Sequence, residues 1–121
     1  MVRQTKDAWP NIFRQARTIP AVEYIQASRL RTLLIKEFSR LFQKADVIVF
    51  PTFEGDQLLI TNLTGHPAIS APSGFDPQGM STSVTFVGNW YCEQNILLLA
   101  RAYQEVTKWY KKTPPGFTPL Q

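Results

Sequence analysis

Apolar residues recur at helical spacing in two long stretches of this chain. In the stretch from Ala21 to Lys44 they fall mostly three or four positions apart, with charged residues on the other faces: Val22, Ile25, Leu30, Leu33, Leu34, Phe38, Leu41 and Phe42. The stretch from Glu93 to Lys111 has similar spacing. Such a pattern predicts an amphipathic helix whose apolar stripe faces the core. We expect burial of the first stripe, at about 1.5–3 kcal/mol for each large side chain, to dominate the stability.

Three shorter segments have the character of strands. Asp46–Pro51 is apolar and contains β-branched residues, which predicts a buried strand with both sheet faces covered. Ala68–Pro72 predicts a second strand, and its prolines favour a bounded or edge position. Ser83–Val87 alternates polar and apolar residues, so we predict a third strand with one drier face. The stretch Thr52–Leu63 is expected to be a connection with a Gly-Asp turn.

Prolines and polar residues mark the ends of the predicted helices. A short helix is predicted over Asn11–Arg17. Pro20 suits the first turn of the first long helix, because a missing N–H costs nothing there. Asn89 is the expected N-cap of the second long helix, and Pro114-Pro115-Gly116 is expected to stop it. We expect residues 1–18 to be a less ordered lead-in.

The order of these elements predicts an α/β fold with about three strands and two long helices. A helix followed within two residues by an apolar strand is an αβ unit. With 121 residues, of which 44% are hydrophobic, the chain is long enough to bury a core as a single segment over residues 1–121.

Charge is segregated along the chain. All thirteen basic residues lie outside the stretch Ala45–Ala100, which holds five of the nine acidic residues. Basic flanks have two interpretations, either solvated outer faces of helices or a surface that attracts nucleic acid or an acidic partner. The sequence contains no nucleic-acid-binding motif, so solvated helix faces are the favoured interpretation.

Cysteine usage and hydropathy indicate the compartment. The lone Cys92 excludes an intramolecular disulfide and fits a reducing compartment. No secretory signal is visible, since basic residues interrupt the first twenty positions. No apolar run approaches the roughly 20 residues that span a bilayer. We therefore expect a cytoplasmic protein that does not enter the membrane.

Few side chains in this sequence are suited to catalysis. Nucleophilic catalysis needs a hydroxyl or a thiol beside a base. His66 lies in a Gly-His-Pro turn, where a packing or capping role competes with a role as a base. Cys92 lies at the expected start of a helix, where a thiolate is stabilised, although a small semi-apolar residue also fits that position. The hydroxyl-rich strand around Ser83 and Thr85 has no lysine in its part of the chain. We assign no catalytic residue, no metal site and no cofactor.

One motif connects the chain with a known family. Thr61–Phe75, TNLTGHPAISAPSGF, resembles the N-x-x-G-x-P-A-x-S-x-P-x-G string in the C-terminal part of the amidase signature hydrolases. Asp46–Thr52 resembles the aspartate-led strand of that family, which ends in Pro-Thr. Gly79–Gly88, followed by Glu93, resembles its late strand and last helix. The likeness runs from about Ile19 onward.

The resemblance implies a hydrolase of amides built on a mixed β-sheet flanked by helices. In that family a Ser–cis-Ser–Lys triad lies upstream of the matching part, and this chain contains no Ser-Ser pair. The implied role is therefore a C-terminal portion that is inactive alone. By resemblance, Asp56, Thr61 and Trp90 border the pocket for a small amide substrate. The alternative is that Thr61 ties a turn and Trp90 packs on the last helix.

Two functions follow as hypotheses. In the first, the chain is the C-terminal part of an amidase, its partner is the rest of the amidase chain, and an exposed sheet edge favours self-association. In the alternative, the chain is a non-catalytic module that binds a protein or tRNA through its basic flanking helices. A salt-dependent affinity for tRNA would favour the alternative, because phosphate contacts weaken steeply with salt.

Overall fold

The computed structural model describes residues 5, 6 and 8–113, and the chain divides into two compact units, Met1–Leu33 and Leu34–Gln121. The first unit contains helix α1, Trp9–Ala16, and the start of helix α2, Ala21–Leu41. Pro10 lies in the first turn of α1, where its missing N–H leaves no helical bond unmade. The predicted short helix is confirmed and begins two residues earlier than predicted.

Helix α2 confirms the first long helix but corrects the prediction that its apolar stripe is buried. Among the residues of α2 only Phe38 is buried. Most of the large side chains along the same stripe are exposed: Val22, Ile25, Leu30, Leu33 and Leu41. Helical spacing shows that one face is apolar, but it does not show what covers that face. The expectation that the whole stripe stabilises the fold is therefore wrong.

The second unit is built on a three-stranded antiparallel sheet. Strands β1, Val47–Pro51, β2, Ala68–Phe75, and β3, Ser81–Gly88, lie in the order β1-β3-β2. Both neighbours of β3 run antiparallel to it. Together with the helices, this sheet confirms the predicted α/β class and the three predicted strands. Within the described part of the chain β2 lies at one edge of the sheet, in agreement with the bounded or edge position predicted for it.

β2 and β3 form a hairpin that is closed by residues 76–80. Asp76 Oδ1 accepts hydrogen bonds from the backbone N–H groups of Gln78 at 2.9 Å and Met80 at 2.8 Å. β2 is longer than predicted, because a bulge between Pro72 and Gly74 lets the strand continue past the proline.

β1 is an edge strand, which corrects the prediction that both of its faces are covered. It pairs with β3 on one side, where Val49 lies opposite Phe86. Val49 is 52% exposed, and no residue of β1 is fully buried. A continuous apolar run is typical of a central strand. The sequence of β1 therefore suits a second neighbour that the described part of the chain does not provide.

Residues that we predicted to be an irregular connection form helix α3, Gln57–Thr64. The prediction rested on the Gly-Asp turn, and threonine and asparagine are in addition weak helix formers. In the structure the Thr61 hydroxyl donates to the Gln57 carbonyl at 3.1 Å, and the Gln57 side-chain amide donates to Thr61 Oγ1 at 3.2 Å. Gly65, with a φ of 74°, ends the helix. These buried bonds and the glycine cap outweigh the weak propensity.

Helix α4, Glu93–Thr107, confirms the second long helix, although it ends earlier than predicted. Lys108 has a φ of 55°, and a 3-10 turn, Trp109–Lys111, follows it. The Pro-Pro-Gly stop predicted at residues 114–116 lies outside the described residues.

The N-cap of α4 is Cys92, which corrects the prediction of Asn89 at this position. Asn89 has a different local role, because its side-chain oxygen accepts a hydrogen bond from the Trp90 N–H at 2.9 Å. The β3–α4 loop is therefore held by an asparagine that lies before the helix rather than at its cap.

The core lies between α4 and one face of the sheet. Its buried residues come from β2, β3 and α4: Ala71, Phe86, Ile96 and Ala100. The ring of Phe86 meets that of Tyr103 edge to face, with centroids 5.6 Å apart. This packing fixes α4 over the sheet and so positions the loop that carries Trp90.

Candidate functional site

The candidate site is an aromatic cluster around His66, the single histidine of the chain. Gly65 turns the chain at the end of α3, and His66 follows it with 5% of its surface exposed. The imidazole meets Phe38 edge-on at 4.9 Å, and it stacks on Phe42 at 5.1 Å and on Trp90 at 4.9 Å, measured between ring centroids. The end of α2, the end of α3 and the β3–α4 loop therefore meet at one ring. We call these four residues the His66 cluster.

Hydrogen bonds favour one tautomer of His66. The Thr64 hydroxyl lies 2.9 Å from the Ile60 carbonyl, to which it can donate its one hydrogen. The same hydroxyl oxygen lies 2.8 Å from His66 Nδ1, and both contacts are satisfied when Nδ1 carries the proton and donates to it. His66 Nε2 is then a buried lone pair without a hydrogen-bond partner among the described residues.

A second bond attaches the β3–α4 loop to α3. The indole N–H of Trp90 donates to the Thr64 carbonyl at 3.0 Å. Because the Trp90 ring also stacks on His66, the loop is held by one hydrogen bond and one ring contact. Trp90 is thus fixed in orientation although 38% of its surface is exposed.

The His66 cluster does not form a nucleophile–base pair. In such a pair the hydroxyl donates to the imidazole, whereas the Thr64 hydroxyl donates to a backbone carbonyl. On β3, the Thr85 hydroxyl lies 2.8 Å from that of Thr52 and 2.9 Å from that of Ser70. These hydroxyls pair with each other across the strands. The geometry therefore favours the packing role for His66 over the role as a base.

We expect the protein to lose stability as the pH falls below about 6.5, because of His66. Burial favours the neutral imidazole and lowers the pKa of His66 from its ordinary value of 6.5. The unfolded chain then binds more protons than the folded chain between the ordinary and the lowered pKa, so acidification through this window favours unfolding. Urea unfolding at pH 7.5 and pH 5.5 measures the change.

The control for this pH dependence is His66→Phe, which keeps a flat ring and does not titrate. We expect this variant to show a smaller loss of stability between the two pH values than the wild type. His66→Gln serves as a second non-titrating variant. Equal losses in the wild type and in both variants would assign the pH dependence to other groups.

Trp90 borders a small cavity beside the cluster. The cavity has a volume of about 310 Å³, and five residues line it: Gly65, Pro67, Trp90, Tyr91 and Glu93. Tyr91 is 90% exposed and has a φ of 58°, a left-handed conformation that is uncommon for a residue with a large side chain. The loop thus presents two neighbouring aromatic side chains at the mouth of the cavity.

The other two predicted contact residues lie on or beside α3. Thr61 is 5% exposed and uses its hydroxyl within the helix. It lies one turn before Thr64, to which Trp90 bonds. Asp56 directly precedes α3 and is exposed. Since eight helical residues span about 12 Å, Asp56 lies at the far end of α3 from Trp90. The structure brings Thr61 and Trp90 near the same end of this helix and leaves Asp56 at the other.

Sequence reasoning missed part of this site. Phe38 and Phe42 were assigned to a core stripe, and Tyr91 was not singled out. No local signal joins these residues to His66, because they come from segments that meet only in the folded chain. The Gly-His-Pro string was the one sequence signal for the position of His66, because a glycine that ends a helix fixes the position of the residue that follows it.

Two further properties of the described residues bear on function. They contain no group of three histidine, cysteine, aspartate or glutamate side chains placed to hold a metal ion. None of the described helices is long and apolar enough to cross a bilayer.

Comparison with known proteins shows similarity to one group of enzymes. No family model matches the chain. It is 34% identical over 110 residues to the A subunit of glutamyl-tRNA(Gln) amidotransferase from Microcystis aeruginosa, a match that covers 75% of this chain and 23% of that protein. Its counterpart from Synechococcus sp. (strain JA-3-3Ab) is 34% identical over 117 residues, covering 81% of this chain and 23% of that protein.

A solved structure has a similar fold. An amidase family protein from Bacillus anthracis str. Ames matches with a TM-score of 0.75 and 23% sequence identity, over 95% of this chain and 23% of that one. This chain therefore spans about a quarter of the length of the proteins that it matches, and the match lies in their C-terminal part.

Proposed function

Because this chain belongs to the amidase family and corresponds to the C-terminal part of its members, we propose that it forms the C-terminal portion of an enzyme that hydrolyses amide C–N bonds. It forms a single segment over residues 1–121, extends the sheet of the enzyme and contributes to the substrate pocket. The Ser–cis-Ser–Lys triad belongs to the rest of the amidase chain, which is its partner.

The observation that carries this proposal is the extent of the match. The chain aligns with 23% of each relative. The hydroxyls of Thr52, Ser70 and Thr85 pair with each other, and that of Thr64 bonds to a backbone carbonyl. A catalytic centre therefore has to come from the remaining part of the enzyme. The strand β1, whose apolar sequence suits a central position, supports the same conclusion.

Within the enzyme, we assign this chain one wall of the pocket. The cavity beside Trp90, at about 310 Å³, is at the small end of ligand sites and suits a small amide substrate. Trp90 supplies an apolar face that the His66 cluster holds in place. Thr61 supports this wall from within α3, and Asp56 is the outermost of the three contacts. The lone Cys92 supports a reducing, cytoplasmic location.

We expect no hydrolysis of an anilide substrate by this chain alone. The reason is the lack of a hydroxyl that donates to a base among the described residues. The measurement is release of the aniline at neutral pH, with a full-length amidase as positive control. Turnover that scales with the concentration of this chain and is lost in His66→Phe or Thr85→Ala would place the chemistry in this chain and overturn the proposal.

A chimera tests whether this chain can complete an active amidase. In it this chain replaces the matching C-terminal part of an active amidase with the Bacillus anthracis fold. We expect the chimera to hydrolyse the anilide, whereas the same host without its C-terminal part does not. Introducing Trp90→Ala into the chimera should raise KM more than it lowers kcat, because Trp90 contacts substrate and takes no part in bond breaking. An unchanged KM would remove Trp90 from the pocket.

A further inference from the structure

One nitrogen of His66 is enclosed by this chain itself. The residue is 5% exposed, and Nε2 of its imidazole is buried without a hydrogen-bond partner among the described residues. Three aromatic rings lie against the imidazole: Phe38, Phe42 and Trp90. Because these contacts lie within the chain, the remaining part of the enzyme reaches Nε2 only when the His66 cluster opens.

Thr64 couples His66 to Trp90 through two separate groups. Its hydroxyl lies 2.8 Å from His66 Nδ1, and its carbonyl accepts the indole N–H of Trp90 at 3.0 Å. The imidazole and the indole also stack, with 25° between their planes and 4.9 Å between their centroids. A movement of the imidazole therefore removes the ring contact of Trp90 and disturbs the residue that holds its indole.

Protonation of His66 is unfavourable in this arrangement. In the favoured tautomer Nδ1 carries the proton, so a second proton has to bind at Nε2. There it becomes a buried N–H of a cation without an acceptor among the described residues. Aromatic faces attract a cation, but its loss of hydration is the larger effect. Burial accordingly lowers the pKa of His66 from its ordinary value of 6.5.

The charges on the elements around His66 do not offset this cost. The charged and titratable side chains on the end of α2 and on the β3–α4 segment are Lys36, Glu37, Arg40, Lys44, Tyr91, Cys92 and Glu93. Helix α3 carries none. Of the two carboxylates, Glu37 pairs with Arg40 at 2.7 Å, and Glu93 is exposed and lines the cavity beside Trp90. Burial is therefore the cause of the lowered pKa.

The cavity beside Trp90 gives the protonated ring a way to water. Gly65 and Pro67, the two neighbours of His66 in the chain, line this cavity together with Trp90. Trp90 is 38% exposed and belongs to a loop, whereas Phe38 is 8% exposed and belongs to a helix. Trp90 is therefore the ring that moves aside with the smaller loss of buried contact.

We propose that neutral His66 is a positioning residue for Trp90, and that protonation of His66 releases Trp90 from the wall of the pocket. The wall is then complete at neutral pH and loosened by acid. The effect on substrate rests on the proposed function, because it requires that Trp90 contacts the substrate. The coupling of His66 to Trp90 does not require it.

The nuclear Overhauser contact between the rings of His66 and Trp90 tests the release in the wild-type chain. The Cε1–H signal of His66 follows the titration from pH 7.5 downward. We expect the His66–Trp90 contact to be lost when this titration is complete. The contact between Phe86 and Tyr103, whose centroids are 5.6 Å apart in the core, should persist at the same pH.

His66→Phe is the matched variant, because it keeps a flat ring and does not titrate. In this variant the indole N–H signal of Trp90 should hold its position over the same pH range, whereas in the wild type it should shift with the midpoint of His66. Trp109 is the internal reference, since its ring contacts Phe75 and not the His66 cluster.

The chimera with an active amidase tests the effect on substrate, and a neutral anilide is used because it does not titrate. Only the fraction of enzyme with Trp90 in place binds normally, so KM should rise by up to about tenfold for each pH unit below the midpoint of His66. We expect kcat to change less. The ratio of this KM to that of the His66→Phe chimera at the same pH removes the pH dependence of the host enzyme.

Three results would overturn the proposal. The first is a His66–Trp90 contact that persists after His66 has titrated. The second is loss of the Phe86–Tyr103 contact at the same pH, which would show unfolding of the whole chain instead of a local release. The third is a KM ratio that is the same at every pH. A chimera that hydrolyses nothing counts against the proposed function alone, because the spectra decide the coupling without any hydrolysis.

Discussion

Replacing Phe86 with alanine is expected to lower the free energy of unfolding by about 3–5 kcal/mol. Phe86 lies in the central strand, is 3% exposed, and packs in the core that joins the sheet to α4. Its ring also meets Tyr103 edge to face. The substitution removes these contacts and leaves a cavity at the place where the two layers meet. Urea unfolding followed by circular dichroism measures the loss.

The matched control for Phe86→Ala is Phe53→Ala, the same chemical change at a surface position. Phe53 is 83% exposed, so its truncation should change the free energy of unfolding by no more than about 0.5 kcal/mol. If both substitutions cost the same, the core assigned to the β3–α4 contact would be wrong.

Gly88→Ala is expected to destabilise the fold by about 1–3 kcal/mol. Gly88 is the last residue of β3, and a Cβ placed on it would lie 2.8 Å from Cγ2 of Ile96. Ile96 is 3% exposed and belongs to the core, so it has little room to move aside. Either α4 or the end of the strand has to shift. Chemical denaturation gives the change in free energy.

A double-mutant cycle with Ile96→Ala tests the cause of this cost. The second substitution removes the atom that the new methyl group would strike, so Gly88→Ala should cost less in the Ile96→Ala background than in the wild type. Equal costs in the two backgrounds would show that the contact with Ile96 is not the cause of the destabilisation.

Helices and strands with a strong hydrophobic periodicity were predictable from the sequence. Which of their faces are buried was less predictable. The alternation of Ser83–Val87 predicts a strand and the spacing of Ile96, Ala100 and Tyr103 predicts a helix, and β3 and α4 confirm these two elements. The single drier face predicted for β3 is wrong, because Thr85 and Val87 are as buried as Phe86, which lies on the other face. Helix α3 was missed because its threonines look unfavourable until their hydroxyls are seen to bond within the helix. The exposed stripe of α2 has a different cause, because spacing defines a face and not the surface that covers it.

The candidate site was predictable only in part. Trp90 and Thr61 were expected near a pocket by resemblance, and the structure places them near the same end of α3. The contacts of His66 with Phe38 and Phe42 were not predictable, since about 25 residues separate these partners along the chain. The proton on Nδ1 also depends on a hydroxyl that is already engaged by a backbone carbonyl. The tautomer of His66 therefore depends on the folded geometry and cannot be read from the sequence.

The hairpin turn at residues 76–80 has a consequence for the order in which the sheet assembles. β2 and β3 are joined by this short turn, whereas β1 reaches β3 only after the chain between Pro51 and Ser81 has closed into a loop. The entropy lost in closing a loop grows with its length. We therefore expect the β2–β3 hairpin to form before β1 pairs with β3. During synthesis on the ribosome β1 is made before β2 and β3, so it stays unpaired until β3 has emerged. Chaperone demand during synthesis should therefore centre on the segment Val47–Pro51.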